Sequence, residues 1–239
     1  MAVIMPPKRL VRPAQAGGAA AGLWRGLLSY WPLWDGVGSR AENIGPLPYS
    51  AVSPGGSNVW DAFEAGRGAR FDGTLNTALE ATDNGELTVN TYSVAFIMRF
   101  SDAADIDFTN HSIIGRNNDA TSKGWWFGRI AVDAENDIRF GTSTGNIKTN
   151  VADWKRPVLV VLVQRSDSDA AVYTDGNLNV QGNNGFNGPA TSATPLQIGT
   201  RADFSEAFTG HISNVAFWDR ALSDAEIRLL ARDPFIMLR

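Results

Sequence analysis

The hexapeptide Val158–Val163 (VLVVLV) narrows what this chain can become more than any other segment. Successive side chains of a strand point to opposite faces, so a short apolar run with no polar break fits a strand covered on both sides. It reads as the middle of a sheet. Ser93–Phe100 behaves differently, with Val94, Phe96, Met98 and Phe100 on one face and Ser93, Ala95, Ile97 and Arg99 on the other. That alternation predicts a half-buried strand. Two hairpins follow from turn chemistry. Phe127–Val132 and Ile138–Phe140 flank the polar stretch Asp133–Asp137, and Ala171–Thr174 and Leu178–Val180 flank Asp175-Gly176. Gly182–Gly188 (GNNGFNG) reads as loop.

One helix is signalled, within Ala221–Asp233. Ser223 and Glu226 have capping-box spacing, Ile227, Leu230 and Ala231 share a face, and Asp233-Pro234 stops the helix. Its narrow apolar stripe predicts docking on the strands. Residues 1–22 read as an irregular arm, because Pro6, Pro7 and Pro13 block regular structure and Gly17, Gly18 and Gly22 loosen what remains. The domain assignment is therefore an arm over 1–22 and one all-β domain over 23–239. Arg12 and Pro13 interrupt the apolar start, so the arm is not expected to be a secretory leader. No run of about 20 apolar residues exists, so no membrane span is expected.

A length of 239 residues suits one large sandwich, and eight Trp with twelve Phe supply its core. The net charge of −4 and pI near 5.2 provide no basic field for phosphates, which argues against a nucleic-acid partner. Without cysteine there is no disulfide and no thiolate chemistry.

Six segments carry a family resemblance: SYWPLWDGVG (29–38), GRGARFDG (66–73), YSVAFIMRF (92–100), AVYTDGNLNV (171–180), PLQIGTR (195–201) and FTGHISNVAFWDRALSDAEIRLLARDP (208–234). In these the chain resembles the laminin G-like group of the concanavalin A-like lectin/glucanase folds. The resemblance implies a two-sheet antiparallel jelly-roll sandwich with one short C-terminal helix. Stand-alone chains of this kind are similar to bacteriophage structural proteins, and the ending LLARDPFIML is similar to the ends of such phage domains. What the resemblance implies is a non-enzymatic virion component assembled in the host cytoplasm, either a head decoration protein or a tail or fibre adhesin. Its partners would be coat or tail subunits and further copies of itself. The alternatives are a bacterial carbohydrate-binding or adhesion module and a degenerate glycoside hydrolase.

Retaining glucanases of this fold carry a Glu-x-Asp-x-x-Glu strand, which sets carboxylates on one face for nucleophile and acid/base roles. Glu135-Asn136-Asp137-Ile138-Arg139-Phe140 is the nearest match, and Phe140 replaces the second glutamate. The only histidines, His111 and His211, come with no Gly-x-Ser-x-Gly elbow, so no triad is expected. The chain is read as a non-enzyme. Ca²⁺ is the one cofactor the fold suggests, with Asp72, Asp102, Asp105 and Asp107 as candidate hard-oxygen ligands; each is alternatively a plain turn residue. Glycan or partner contacts fall to Trp34, Trp60, Trp125 and Trp126, which alternatively fill the core. Adjacent Trp125 and Trp126 must point to opposite faces, leaving one off the core. Lys8, Arg9 and Arg12 would anchor the arm.

Overall fold

The computed structural model describes residues 19–34, 38–56, 59–63, 66–101, 111–118, 123–129, 138–142, 144–149, 154–189, 194–200 and 207–238. The chain opens with helix α1 (Ala19–Trp24), followed by strands β1 (Leu27–Trp31), β2 (Arg40–Ala41) and β3 (Ala51–Val52). Next come β4 (Val59–Phe63), β5 (Gly66–Asp72), β6 (Leu79–Ala81) and β7 (Tyr92–Phe100). A run of hairpin strands supplies β8 (His111–Asn118), β9 (Lys123–Arg129), β10 (Ile138–Gly141) and β11 (Asn146–Lys148). The last strands are β12 (Val158–Ser166), β13 (Asp169–Thr174), β14 (Asn177–Gly182), β15 (Leu196–Ile198) and β16 (Thr209–Trp218), before helix α2 (Asp224–Arg232).

Among the described residues the strands form two eight-stranded sheets. The first runs β14-β13-β12-β7-β16-β5-β4, with β1 also paired to β16, and the second runs β11-β10-β9-β8-β15-β6-β3-β2. Every pairing is antiparallel, as a jelly roll requires. A bulge in β16 after Ser213, with Asn214 at φ 53°, divides that strand. Its first half pairs with β5 and its second half with β1.

The main core lies between the sheets. Phe96, Met98 and Phe217 of the first sheet meet Ile114, Trp125, Phe127 and Phe140 of the second. Tyr92 sits at its aromatic centre, 5.4 Å from Trp125 and 5.8 Å from Phe217 between ring centroids. Phe186 extends this cluster from the Gly/Asn-rich loop. Beyond Gly182, which ends β14, that loop has no regular secondary structure, as expected, and Gly185 approaches Gly145 so closely that a Cβ on Gly185 would lie 2.5 Å from the Gly145 nitrogen. Close approach accounts for both glycines, and Gly185 also takes a positive φ of 74°.

Two local expectations hold in detail. Asp175 and Gly176 both take positive φ (50° and 82°), the conformation that joins β13 to β14 in the right-handed twist of a hairpin. Ser223 caps α2 with a reciprocal capping box to Glu226.

Three others change. Val158–Val163 is buried on both faces, but β12 lies beside the middle of its sheet, and β7 occupies the middle itself. Strand β7 is buried on both faces instead of one. Its second face, with Ala95 and Ile97, joins Leu159, Val161, Tyr173 and Trp218 in a second apolar cluster covered by Leu23, Leu222, Ile227, Leu230 and Met237. Alternation of small or apolar residues with large ones mimics a half-wet strand until a helix pair covers the outer side. The third change concerns residues 19–22, which belong to α1 and not to an irregular arm. The Ala19–Ala21 run is a strong helix former, Leu23 is fully buried, and Trp218 Nε1 donates to the Leu23 carbonyl at 2.7 Å. Lys8, Arg9 and Arg12 lie outside the described residues.

Candidate functional site

Strands β2, β3, β6 and β15 are two or three residues long, and each alternates an inward apolar residue with an outward polar or exposed one. Ala41, Ala51, Leu79, Ala81, Leu196 and Ile198 enter the core. Burying those residues sets the register, because a one-residue slip would turn each strand inside out. The outward residues then line up across the sheet in one rung: Arg40 beside Val52, Val52 beside Glu80, Glu80 beside Gln197, and Gln197 beside Gly115. The rung continues through Trp126 and Gly141 to Asn146.

At the β2–β3–β6 end this face opens into a pocket of about 410 Å³. Arg40, Val52, Glu80 and Thr82 form its floor, and Pro48, Tyr49, Ser50 and Pro54 supply its wall. The polar groups are held in place. Gln197 Nε2 donates to Glu80 Oε1 at 2.9 Å, and Arg40 Nε meets Glu42 Oε1 at 2.8 Å. Ser50 Oγ donates to the other Glu42 oxygen at 3.0 Å. The Tyr49 carbonyl accepts from Trp31 Nε1 at 2.9 Å, which ties the wall to the core. Its hydroxyl donates to Glu86 Oε1 at 2.8 Å and accepts from Asn84 Nδ2 at 2.9 Å. The bond from Tyr49 holds the Glu86 carboxyl below its ordinary range, and the same bond raises the Tyr49 phenol. The result is a fixed set of donors and acceptors beside an aromatic ring, two prolines and a valine that is 43% exposed. Such a surface suits a ligand with both hydroxyls and apolar edges.

The residues expected from sequence fall in different places. Trp125 is in the core, stacked on Tyr92. Trp126 points the other way, onto the outer face of the second sheet, as adjacent strand residues must. It is only 7% exposed and donates from Nε1 to the Thr142 carbonyl. Trp60 packs against the core from edge strand β4 and donates to the Gly38 carbonyl. Trp34 is 38% exposed and lies nearly parallel to Phe235, beside the C-terminal helix. The four tryptophans are thus not assembled into one contact surface.

Asp72 ends β5 as a turn former: its Oδ1 accepts from Thr74 N, Thr74 Oγ1 and Thr77 Oγ1 at 2.9, 2.7 and 3.0 Å. Partial burial opposes its ionisation, but the Thr74 and Thr77 bonds outweigh that and hold the carboxyl below its ordinary value. The described residues do not gather it into a group of three or more His, Cys, Asp or Glu. Asp102, Asp105 and Asp107 lie outside the described residues, as do Glu135 and Asp137. Sequence alone does not mark the pocket residues Arg40, Tyr49 and Glu80 or the buried Gln197 behind them. Only Glu80 and Gln197 carry a local signal, a polar residue between two apolar ones in Leu79-Glu80-Ala81 and Leu196-Gln197-Ile198.

Among solved structures the fold is similar to the binding domain of Paraclostridial Mosquitocidal Protein 1. The TM-score is 0.70 at 12% identity, over 89% of this chain and 53% of that one. Domain 4 of AbnA, a GH43 extracellular arabinanase from Geobacillus stearothermophilus solved with arabinotriose, aligns with TM-score 0.64 and 14% identity, over 86% of this chain and 98% of that one. The receptor-binding domain of botulinum neurotoxin D gives 0.69 at 9% identity, over 89% and 54% of the two chains. The chain therefore spans about half the length of the two toxin domains. No curated protein sequence matches it. The model of the laminin G-type family matches residues 72–228, more than half of the sequence, and with the two-sheet antiparallel fold it establishes that the chain belongs to the concanavalin A-like lectin/glucanases superfamily.

Proposed function

We propose that the chain is a non-catalytic recognition domain that holds a carbohydrate in the β2–β3–β6 pocket. The observation that carries this reading is the placing of Arg40 and Glu80 on either side of Val52 in one rung beside Tyr49, with Glu80 oriented by the buried Gln197. Planar carboxylate and guanidinium groups pair with adjacent hydroxyls in a bidentate manner, and an aromatic ring takes the apolar face of a sugar. Similarity to a domain solved with arabinotriose and to toxin binding domains supports recognition over turnover.

The test is a glycan array followed by calorimetry on the full chain. Tyr49→Ala is expected to weaken the best glycan at least ten-fold with the melting temperature nearly unchanged. Absence of any glycan binding, or binding indifferent to Tyr49, rejects the reading. Arabinan and β-glucan assays are expected to show no reducing-sugar release, and release abolished by Glu80→Gln would make the pocket an enzyme site.

For its setting we favour a phage particle, with the domain as a tail or fibre adhesin or a head decoration protein. Two features support this: the cationic residues Lys8, Arg9 and Arg12 in the leading segment, and the position of α1. Helix α1 packs with α2 on the outer face of the first sheet, on the far side of the sandwich from the pocket. A segment leading into α1 and anchored to coat or tail subunits would leave the pocket outward. A chain beginning at Ala19 is expected to keep its glycan binding and to fail to join particles. Normal incorporation would place the anchor elsewhere.

A further inference from the structure

Resting on the carbohydrate reading above, the charges around the pocket sort the saccharides it accepts. Arg40 and its partner Glu42 neutralise each other at 2.8 Å. Among the described residues Glu80 and Glu86 have no such cation: Glu80 is bonded by the neutral Gln197 amide, and Glu86 by the Tyr49 hydroxyl and the Asn84 backbone N–H. Two negative charges therefore remain at the floor and rim. The remaining lining groups are neutral: Thr82 and Val52 in the floor, and Ser50, Tyr49, Pro48 and Pro54 in the wall. A ligand carboxylate or sulfate entering here would meet Glu80 in the lining and Glu86 bonded to the lining residue Tyr49; like charges repel over about a Debye length, ~8 Å at physiological salt, and the one guanidinium that lines the pocket is already paired. A neutral hydroxyl escapes the repulsion and still finds acceptors on Glu80 and on Ser50 Oγ, whose own hydrogen goes to Glu42, and a donor on Thr82.

We infer that the pocket selects neutral, hydroxyl-bearing saccharides and rejects uronic, sialylated and sulfated ones, with Glu80 and Glu86 as the discriminating residues. The floor distinguishes a polyol from a simple cation too, since Arg40 stands in it and Tyr49, Pro48 and Pro54 offer apolar contact.

Binding of arabino-, xylo- and galacto-oligosaccharides is measured by calorimetry on the full chain. Each is paired with a uronic-acid-bearing counterpart, at about 20 mM and 500 mM salt. The expected result is at least a five-fold preference for the neutral member at low salt, shrinking as salt rises, because exposed charges are screened. Glu80→Gln and Glu86→Gln are each expected to narrow the ratio. Acidic members that bind as well or better, with affinity lost in Arg40→Ala, would overturn this selectivity while leaving carbohydrate recognition intact. A ratio unmoved by either Gln variant would also overturn it. If a lysine-rich peptide binds and no saccharide does, the carbohydrate reading itself falls.

Discussion

Asp83→Ala is expected to lower the melting temperature by about 10 °C. Asp83 and Arg116 form an ion pair at 3.0 Å with each side chain only 1% exposed. Removing one partner strands the other charge in a dry interior, at a cost of about 3–5 kcal/mol, and each kcal/mol moves the midpoint of a chain this size by about 2–4 °C. Asp83 does more than neutralise. Its Oδ1 also accepts from Gly85 N, and its Oδ2 accepts from Leu87 N. The carboxylate therefore fixes the 83–87 turn, which carries the rim residues Asn84 and Glu86. Arg116 Nε also donates to the Thr194 carbonyl at 2.8 Å, just before β15. The pair thus ties the rim turn to the strand that brings Gln197 into the rung. Two outcomes separate charge from geometry. The double variant Asp83→Leu/Arg116→Met should regain part of the lost stability, since an apolar pair replaces a buried ionic one at little cost. It should not regain glycan affinity, because the turn bonds remain missing. A loss below about 1 kcal/mol for Asp83→Ala would mean that the pair is far less isolated from water than its burial indicates.

The second large effect concerns the clasp between the two helices. Arg220 Nη1 and Nη2 bond both Glu226 oxygens at 2.9 and 2.7 Å. Nη2 also donates to the Gly22 carbonyl, and Nε to the Arg25 carbonyl. Glu226 meanwhile closes the capping box on Ser223. Burial works against the Glu226 charge, but the Arg220 and Ser223 bonds dominate and lower its pKa from 4.5 to about 2. A carboxyl whose folded pKa is depressed stabilises the protein above its unfolded pKa, and that contribution disappears as pH falls through the folded value. Stability should therefore decline between about pH 5 and pH 2, by at most about 3 kcal/mol from this group. Glu226→Gln should be less stable than the parent at pH 7 by a similar amount, and the two should converge near pH 2. Arg220→Ala should show the same loss of pH dependence and a further drop, since it also releases α1. Thermal melts from pH 7 to pH 2 test this, with tryptophan fluorescence reporting Trp218 at the Leu23 carbonyl. Parallel pH curves for parent and Glu226→Gln would show that the pair is too wet to matter.

How far the sequence reached depends on the range of each interaction. The Asp175-Gly176 turn, the Ser223–Glu226 cap and the apolar run of β12 are set within a few residues by φ preference, side-chain reach and period-two burial, so reading them needed no fold. Trp125 and Trp126 pointing to opposite faces followed from the same geometry. Which of the two faces stayed wet did not, because neither faces open solvent. Helix α1 escaped notice because its Ala-Gly composition also suits an irregular arm, and only Trp218 and Arg220, almost two hundred residues later, give it a partner. Arg116 sits in the core-facing position of an alternating strand, but its match is Asp83, 33 residues earlier in a turn. The pocket is the extreme case. Arg40, Val52, Glu80 and Gln197 belong to strands of two or three residues that carry almost no local signal, and their alignment exists only because burying Ala41, Ala51, Leu79, Leu196 and Ile198 fixes register across four strands distant in sequence. Short-range preferences shaped the pieces of this protein; the long-range registry of its second sheet made the site.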